Sequence, residues 1–318
     1  MILVGGENLV DLIQSKDGSG NGGGISFDAA AGGSPYNCAM ALGRQDVAVR
    51  YATPISTDAL GDILATTLKQ SGVELAGPRI ADPTSLAVVM LNDGQPSYQF
   101  YRDNTAERRI DAQALESLMS EQVEAFHVGS LGIIEGADAD LWADFFCKAN
   151  RHGGIRSLDP NVRAMLIHDR DAYLERLWRM LKNVDLLKLS DEDLEWIYPE
   201  KSLDEAYAEL LGQTSAKLTV LTMGAEGCRA HSVKADMELP ASPVANLQDT
   251  VGAGDTFMAT LLSGLQKRSM LSATDLEEIE PDILSDILQT ALQAAALNCE
   301  RKGCNPPTSQ ELEQALSA

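Results

Sequence analysis

The residues best suited to chemistry lie late in the chain, in Asp249-Thr250-Val251-Gly252-Ala253-Gly254-Asp255-Thr256-Phe257. A turn of small residues there runs into the apolar stretch Met258-Ala259-Thr260-Leu261-Leu262, which reads as a helix with a carboxylate in its first turn. A helix start presents unpaired N–H groups and the positive end of the dipole, so it attracts an anion. Gly252 and Gly254 lack a Cβ and let that anion approach the main chain. A carboxylate beside an anion site is repulsive unless it takes part in the reaction. Phosphoryl transfer needs both: a base for the acceptor hydroxyl, and dipoles that hold the developing phosphate charge. As an ordinary cap Asp255 would only favour the helix dipole. The length of the string and its late place in an α/β chain favour the catalytic role.

Four other segments combine glycines with polar groups. Gly32-Gly33-Ser34-Pro35-Tyr36-Asn37 is a glycine turn opening a helix of small residues, where a polyol could reach the main chain and Asn37 could donate and accept. Asp159-Pro160-Asn161-Val162-Arg163 follows a strand on the crevice side expected of an open α/β sheet, and the planar fork of Arg163 suits phosphate oxygens. Lys188-Leu189-Ser190-Asp191-Glu192-Asp193 offers a cation and a run of acids at a helix start. Thr222-Met223-Gly224-Ala225-Glu226-Gly227 is a glycine-punctuated turn after an apolar strand. Each has an ordinary alternative: a solvent-facing Asn, a surface Arg, a favourable helix N-terminus, a tight β-turn.

The elements that must position these residues alternate. Strands are expected at Ile2–Val4, Val47–Ala52, Val123–Val128, Ile155–Leu158, Val184–Leu189 and Leu218–Thr222. Helices are expected at Ala59–Gln70, Ala139–Ala149, Ala172–Leu181, Leu203–Leu210, Thr256–Gln266, Ile283–Arg301 and Gln310–Leu316. This alternation predicts an α/β, doubly wound, mostly parallel sheet with helices on both faces. Two early segments break the pattern, at about 9–31 and 86–105. Asp17-Gly18, Gly22-Gly23-Gly24 and Asn92-Asp93-Gly94 mark tight turns in them, so both read as hairpins able to pair into a small sheet.

The bulk properties narrow the function classes. The 318 residues, 44% hydrophobic, suffice for one large domain with a small appendage. A formal charge of −22 spread along the chain disfavours nucleic acid and anionic membranes as partners. It also leaves an anionic nucleotide dependent on helix N-termini, a divalent ion and a few cations. Five scattered cysteines and four separated histidines form no zinc set, and the cysteines read as reduced thiols. The N-terminus has neither a basic segment nor a long apolar run, so a cytoplasmic protein is expected.

The string ending in Asp255 resembles the second signature of the PfkB (ribokinase-like) carbohydrate kinases, and Ala30–Gly43 resembles the first. The resemblance runs from about residue 2 to residue 308 and is closest to the fructokinases, because Ser34-Pro35 stands where ribokinases usually carry a lysine. It implies an ATP-dependent kinase acting on the primary hydroxyl of a free sugar, with fructose the first expectation. The alternatives are a 2-keto-3-deoxygluconate kinase, a ribokinase, or a catalytically silent sugar-binding protein on the same fold.

Site roles follow residue by residue from that resemblance. Asp255 is the base, Gly252, Ala253 and Gly254 form the anion hole, and Arg163 steadies the phosphate. Asp11, Gly32, Gly33, Asn37, Tyr101, Arg102 and Asn161 contact sugar. Lys188, Thr222, Gly224, Gly227 and Asn298 contact nucleotide. Ser190 and Asp193 stand where many relatives have an Asn and a Glu that organise water around Mg²⁺. Asp249, Asn298, Arg301 and Gly303 match a monovalent-cation site, with K⁺ left open because Pro307 replaces a frequent serine. The small sheet is implied to be a lid, and the outer face of such a sheet needs cover. A homodimer through the lids supplies it.

Overall fold

In a computed structural model the protein is described over residues 1–15, 25–92, 95–119, 122–149 and 154–317. The expected turns at Asp17-Gly18, Gly22–Gly24 and Asp93-Gly94, and His152, lie outside these residues.

Among the described residues nine strands form one sheet, in the order Asp236–Leu239, Cys228–His231, Leu218–Thr222, Leu186–Ser190, Ile155–Asp159, Ala125–Gly129, Ile2–Val4, Val49–Tyr51, Glu74–Leu75. The seven from Leu218–Thr222 onward pair in parallel. Parallel neighbours need crossovers, and helices supply them: Ala137–Lys148, Arg170–Leu181, and Asp191–Ile197 with Leu203–Gln213. These strands are apolar along their length because both faces are covered. Leu186, Leu187 and Leu189 are wholly buried, as are Leu218, Val220 and Leu221.

One core lies between the sheet and the helices Ser34–Arg44, Ala59–Gln70, Ala253–Lys267 and Pro281–Cys299, and includes Tyr36, Leu64, Phe257 and Leu288. The other, on the opposite face, includes Phe126, Trp142, Phe146, Tyr173 and Leu177. Burying a large side chain of this kind contributes about 1.5–3 kcal/mol, so these two layers stabilise the platform beneath the site. Two strands at one end of the sheet were not expected. Cys228–His231 and Asp236–Leu239 pair antiparallel on the sheet's end, after the parallel run.

The chain leaves Ile2–Val4 toward Val49–Tyr51 on one side, and later returns to pair with it through Ala125–Gly129 on the other. That reversal opens a crevice at the strands' carboxyl ends, where Gly5-Gly6-Glu7, Gly129, Asp159 and Ser190 sit. A separate four-stranded sheet stands over this region, in the order Phe27–Gly32, Leu9–Gln14, Ser85–Asn92, Gln95–Tyr101. Its two outer pairs are antiparallel and its central pair is parallel. Register puts Asp11, Ala30, Ala87 and Phe100 on one face, with Ile13, Val89 and Tyr98 two residues along.

Candidate active site

Asp255 lies in the first turn of the helix Ala253–Lys267, which begins three residues before the expected start at Thr256. The N-cap is Gly252, left-handed at φ 77°, and no side chain caps the turn. A Cβ at Gly252 would overlap the Cys304 thiol, so glycine is required there for both conformation and space. The Asp255 carboxylate is 8% exposed and each oxygen has one donor: Ser34 Oγ on Oδ1 at 2.6 Å and Asn37 Nδ2 on Oδ2 at 2.8 Å. Burial raises its pKa, while the bonds from Ser34 and Asn37 and the charges of Lys188 and Arg163 pull it back. A carboxylate held at both oxygens still has a lone pair on each with which to accept a proton.

Lys188 is buried beside this turn. Its Nζ donates to Asp159 Oδ2 at 2.9 Å, and a Cβ on Gly254 would lie 3.1 Å from it. Burial alone would depress the lysine, but Asp159, Asp193 and Asp255 outweigh it and raise its pKa, so it keeps its charge. Burial pushes Asp159 up to about 6 despite that lysine. His127 is driven down to about 3 by burial and by Lys188, so it is a neutral partner of Ser157 Oγ at 3.0 Å. Arg163 is exposed and bonded to the carbonyl and carboxamide oxygens of Asn161, which holds φ +40°. Its charge acts on both Asp11 and Asp255.

Asp11 projects from the small sheet onto the Gly32 main chain, and a Cβ on Gly32 would overlap its carboxylate. Burial raises Asp11 to about 6, with Arg163 opposing. Gly33, at φ +110°, passes so close to the Glu7 carbonyl oxygen that a Cβ would lie 2.8 Å away. Three residues expected at a sugar are engaged otherwise. Asn37 spends its donor on Asp255, and its Oδ1 is buried without a partner. Arg102 is turned inward and paired with Glu107 at 2.9 Å, with a further bond to the Leu131 carbonyl at 3.3 Å. Tyr101 is 56% exposed and falls on the sheet face opposite Asp11, because it is registered with Leu86 and Val10.

The nucleotide and metal expectations change similarly. Asn298 is fully buried and both ends of its carboxamide are used: Nδ2 on the Val251 carbonyl and Oδ1 on the Asn305 amide, at 2.8 and 2.9 Å. It braces the turn before Gly252. Asp249 likewise accepts from Val251 N and Gly303 N. Asp193 accepts from Val162 N at 2.6 Å and from Ser190 N at 2.9 Å, completing a capping box with Ser190. Its carboxylate is therefore a structural clasp between two loops. No group of three or more His, Cys, Asp or Glu able to hold a metal is found among the described residues. Thr222, Gly224 and Gly227 do share one loop at a strand end, with Gly224 at φ +52° and Gly227 at φ +106°. A Cβ on Gly227 would overlap the Leu239 carbonyl, whereas one on Gly224 would meet nothing within 4 Å.

Two residues of this centre escaped the sequence reading. Ser34, noted only for replacing a lysine, bonds Asp255 across 221 positions of sequence. Glu7 accepts from Ser34 N and Gly132 N, at 2.8 and 3.2 Å, and burial lifts it to about 7. Its acidic type in the glycine-rich turn Gly5-Gly6-Glu7 was the available signal.

Comparison with known proteins gives the same picture. Residues 1–311 match the family described as pfkB family carbohydrate kinase. A fructokinase of Rhizobium leguminosarum bv. trifolii is 34% identical over 285 residues, 89% of this chain and 85% of that protein. A probable fructokinase-6, chloroplastic, of Arabidopsis thaliana is 29% identical, covering 99% of this chain and 82% of its own length. Among solved structures, the fructokinase of Xylella fastidiosa with bound ATP superposes with a TM-score of 0.89 at 27% identity, covering 99% of this chain and 98% of that one. With a match of that extent over a buried aspartate at a glycine-capped helix start, the chain belongs to the pfkB family of carbohydrate kinases.

Proposed function

We propose that this protein is a fructokinase, moving the γ-phosphoryl group of ATP to the primary hydroxyl of free fructose. The observation that carries the reading is Asp255: a buried carboxylate in the first turn of a glycine-capped helix, held by Ser34 and Asn37 and flanked by charged Lys188. Relatives named as fructokinases, one of them solved with ATP, support the choice of sugar and nucleotide. In this reading Asp11 and the main chain at Gly32 and Gly33 receive the sugar under the small sheet, which acts as a lid. The attacking hydroxyl passes its proton to Asp255 as its oxygen bonds phosphorus and ADP departs. Amides at Gly252–Gly254, with Lys188 and Arg163, face the phosphoryl charge as it develops. The loop with Thr222, Gly224 and Gly227 lies along the nucleotide. A magnesium ion arriving with ATP supplies charge neutralisation on the phosphates; neither Asp193 nor Asp249 is placed to hold an ion by itself.

The lid's face away from Asp11 carries Leu12 and Val88 beside exposed Phe27 and Tyr101. Ile13, Val89 and Phe100 lie by register on the Asp11 side of the sheet. A second copy covering the outer face gives a homodimer, and light scattering at micromolar concentration reads its mass. Five free thiols agree with a reducing, cytoplasmic setting.

ADP release measured with ATP and a panel of free sugars tests the function. Fructose should give the highest kcat/KM, and Asp255→Asn should lower turnover by ~10²–10⁴-fold while sugar and nucleotide still bind. Preference for 2-keto-3-deoxygluconate or ribose would replace the sugar and keep the chemistry. Turnover of none of them would support the catalytically silent alternative.

A further inference from the structure

Glu7 has no part in the reaction as described, yet it is 1% exposed and grips two elements at once. Its Oε1 accepts from the amide of Ser34, the first residue of the helix Ser34–Arg44, and its Oε2 accepts from Gly132 in the turn Ser130–Ile133. The N-cap of that helix is Gly33, which has no side chain, so Glu7 does the capping from 27 positions away. Beside Gly132, the carbonyl of Leu131 accepts from Arg102, and Arg102 is paired with buried Glu107. Glu107 in turn accepts from Ser85 Oγ at 2.9 Å. Ser85 and Arg102 are the two feet of the hairpin Ser85–Asn92 and Gln95–Tyr101, the half of the small sheet farther from the helix.

A continuous run of bonds therefore leads from that hairpin's feet, through Leu131-Gly132 and Glu7, to Ser34 and then Asp255. We propose that Glu7 is a positioning residue that seats Ser34 on the Asp255 carboxylate and ties that grip to the root of the small sheet. The inference rests on Asp255 being the base. Both of Glu7's partners are N–H donors, so both of its oxygens must accept, which only a carboxylate does; an amide would set an NH₂ group against one of them. The groups facing it are consistent with such a role. Burial, the largest influence, raises Glu7 to about 7 and Glu107 adds to it, while Arg102 and the bond from the Ser34 amide favour the ionised form that the two amides need, so the grip is fullest above neutral pH.

Steady-state kinetics on Glu7→Gln, Ser34→Ala and the double variant test this. Glu7→Gln should lower kcat about 10-fold with KM for ATP changed less than about 2-fold. The acid limb of kcat should move to higher pH, because a loosened Ser34 bond leaves burial to raise Asp255 further. In the Ser34→Ala background the same change should cost less than about 2-fold, since the grip it serves is already gone. Glu7→Asp keeps the charge but withdraws it by a methylene, and should show the same coupling if Glu7→Gln does not fold. Equal losses in both backgrounds with an unmoved acid limb would make Glu7 merely structural and overturn the proposal. Normal turnover in Asp255→Asn would instead overturn the base itself, and with it the premise of the coupling. An inactive Asp255→Asn with additive Glu7 and Ser34 losses removes the coupling alone.

Discussion

Two carboxylates at the candidate centre are held in opposite ways, and the difference assigns their work. Asp255 has a donor on each oxygen, which fixes its orientation and offsets part of the burial that raises its pKa. Asp11 is lifted to about 6 by burial with only the Arg163 charge opposing, so a ligand that donates hydroxyl hydrogens to it would relieve a cost already present. Asp11→Ala should therefore weaken fructose binding by roughly 1.5–3 kcal/mol, the scale of a hydrogen bond to a charged group, and leave ATP affinity nearly unchanged. Calorimetry giving equal sugar affinity in both proteins would place Asp11 outside the pocket. Asp255 was legible because its type, the flanking glycines and the apolar helix after it lie within one short string. Ser34 and Glu7 were not, since their function depends on a contact between positions far apart in the chain. The Asn37 bond to Asp255 was not legible either: a carboxamide suits a sugar and a carboxylate equally, and only the fold brings Asp255 to it.

The helix Ala253–Lys267 shows how an element's start sets the chemistry. Asn298 and Asp249 hold the preceding turn by its main chain, and Gly252 then turns left-handed against Cys304. Gly252→Ala must pay a backbone cost of about 1–2 kcal/mol and also displace a packed thiol. The turn that presents the amides should shift as a result. The expected outcome is a folded enzyme with a large loss of kcat and near-normal sugar affinity, read by kinetics beside a thermal melt. Unchanged kcat would mean that the amide turn takes no part in transfer. Helices of this kind were legible at their apolar middles, and Ala59–Gln70 matches its expected bounds end to end. Hairpin turns and alternation announced both halves of the small sheet, but not the parallel pairing of Leu9–Gln14 with Ser85–Asn92 that joins them. The antiparallel strands Cys228–His231 and Asp236–Leu239 were missed because each is four residues of mixed polarity. Their place at the sheet's end leaves one side half-exposed, so no clean apolar pattern marks them.

At the scale of the molecule, charge and burial act in the same direction. The formal charge of −22 makes the folded chain repel itself at neutral pH. The crevice adds buried acids whose folded pKa values lie above their ordinary ones: Glu7 at about 7, Asp11 and Asp159 at about 6, and Asp255 raised. A raised carboxyl binds its proton more tightly in the native state, so its contribution is fully present below the unfolded pKa and is lost as pH climbs through the folded one. For these groups that window runs from about pH 4 to pH 7. Acids held low by partners, such as Asp58 with Thr84 and Glu311 with Thr308 and Arg301, lose their contribution only below the ordinary carboxyl range. The acidity was plain in the composition; which acids the fold would bury was not, because burial follows from tertiary packing around the crevice. The ligand-free protein should therefore melt higher at about pH 5.5 than at about pH 8 in low salt, at fixed protein concentration. Added sodium chloride should raise the melting temperature more at the higher pH, where surface self-repulsion is greatest. A melting temperature that is flat or rises between those two pH values would show that these acids are not buried as ions above neutrality, and that the crevice is wetter than its geometry indicates.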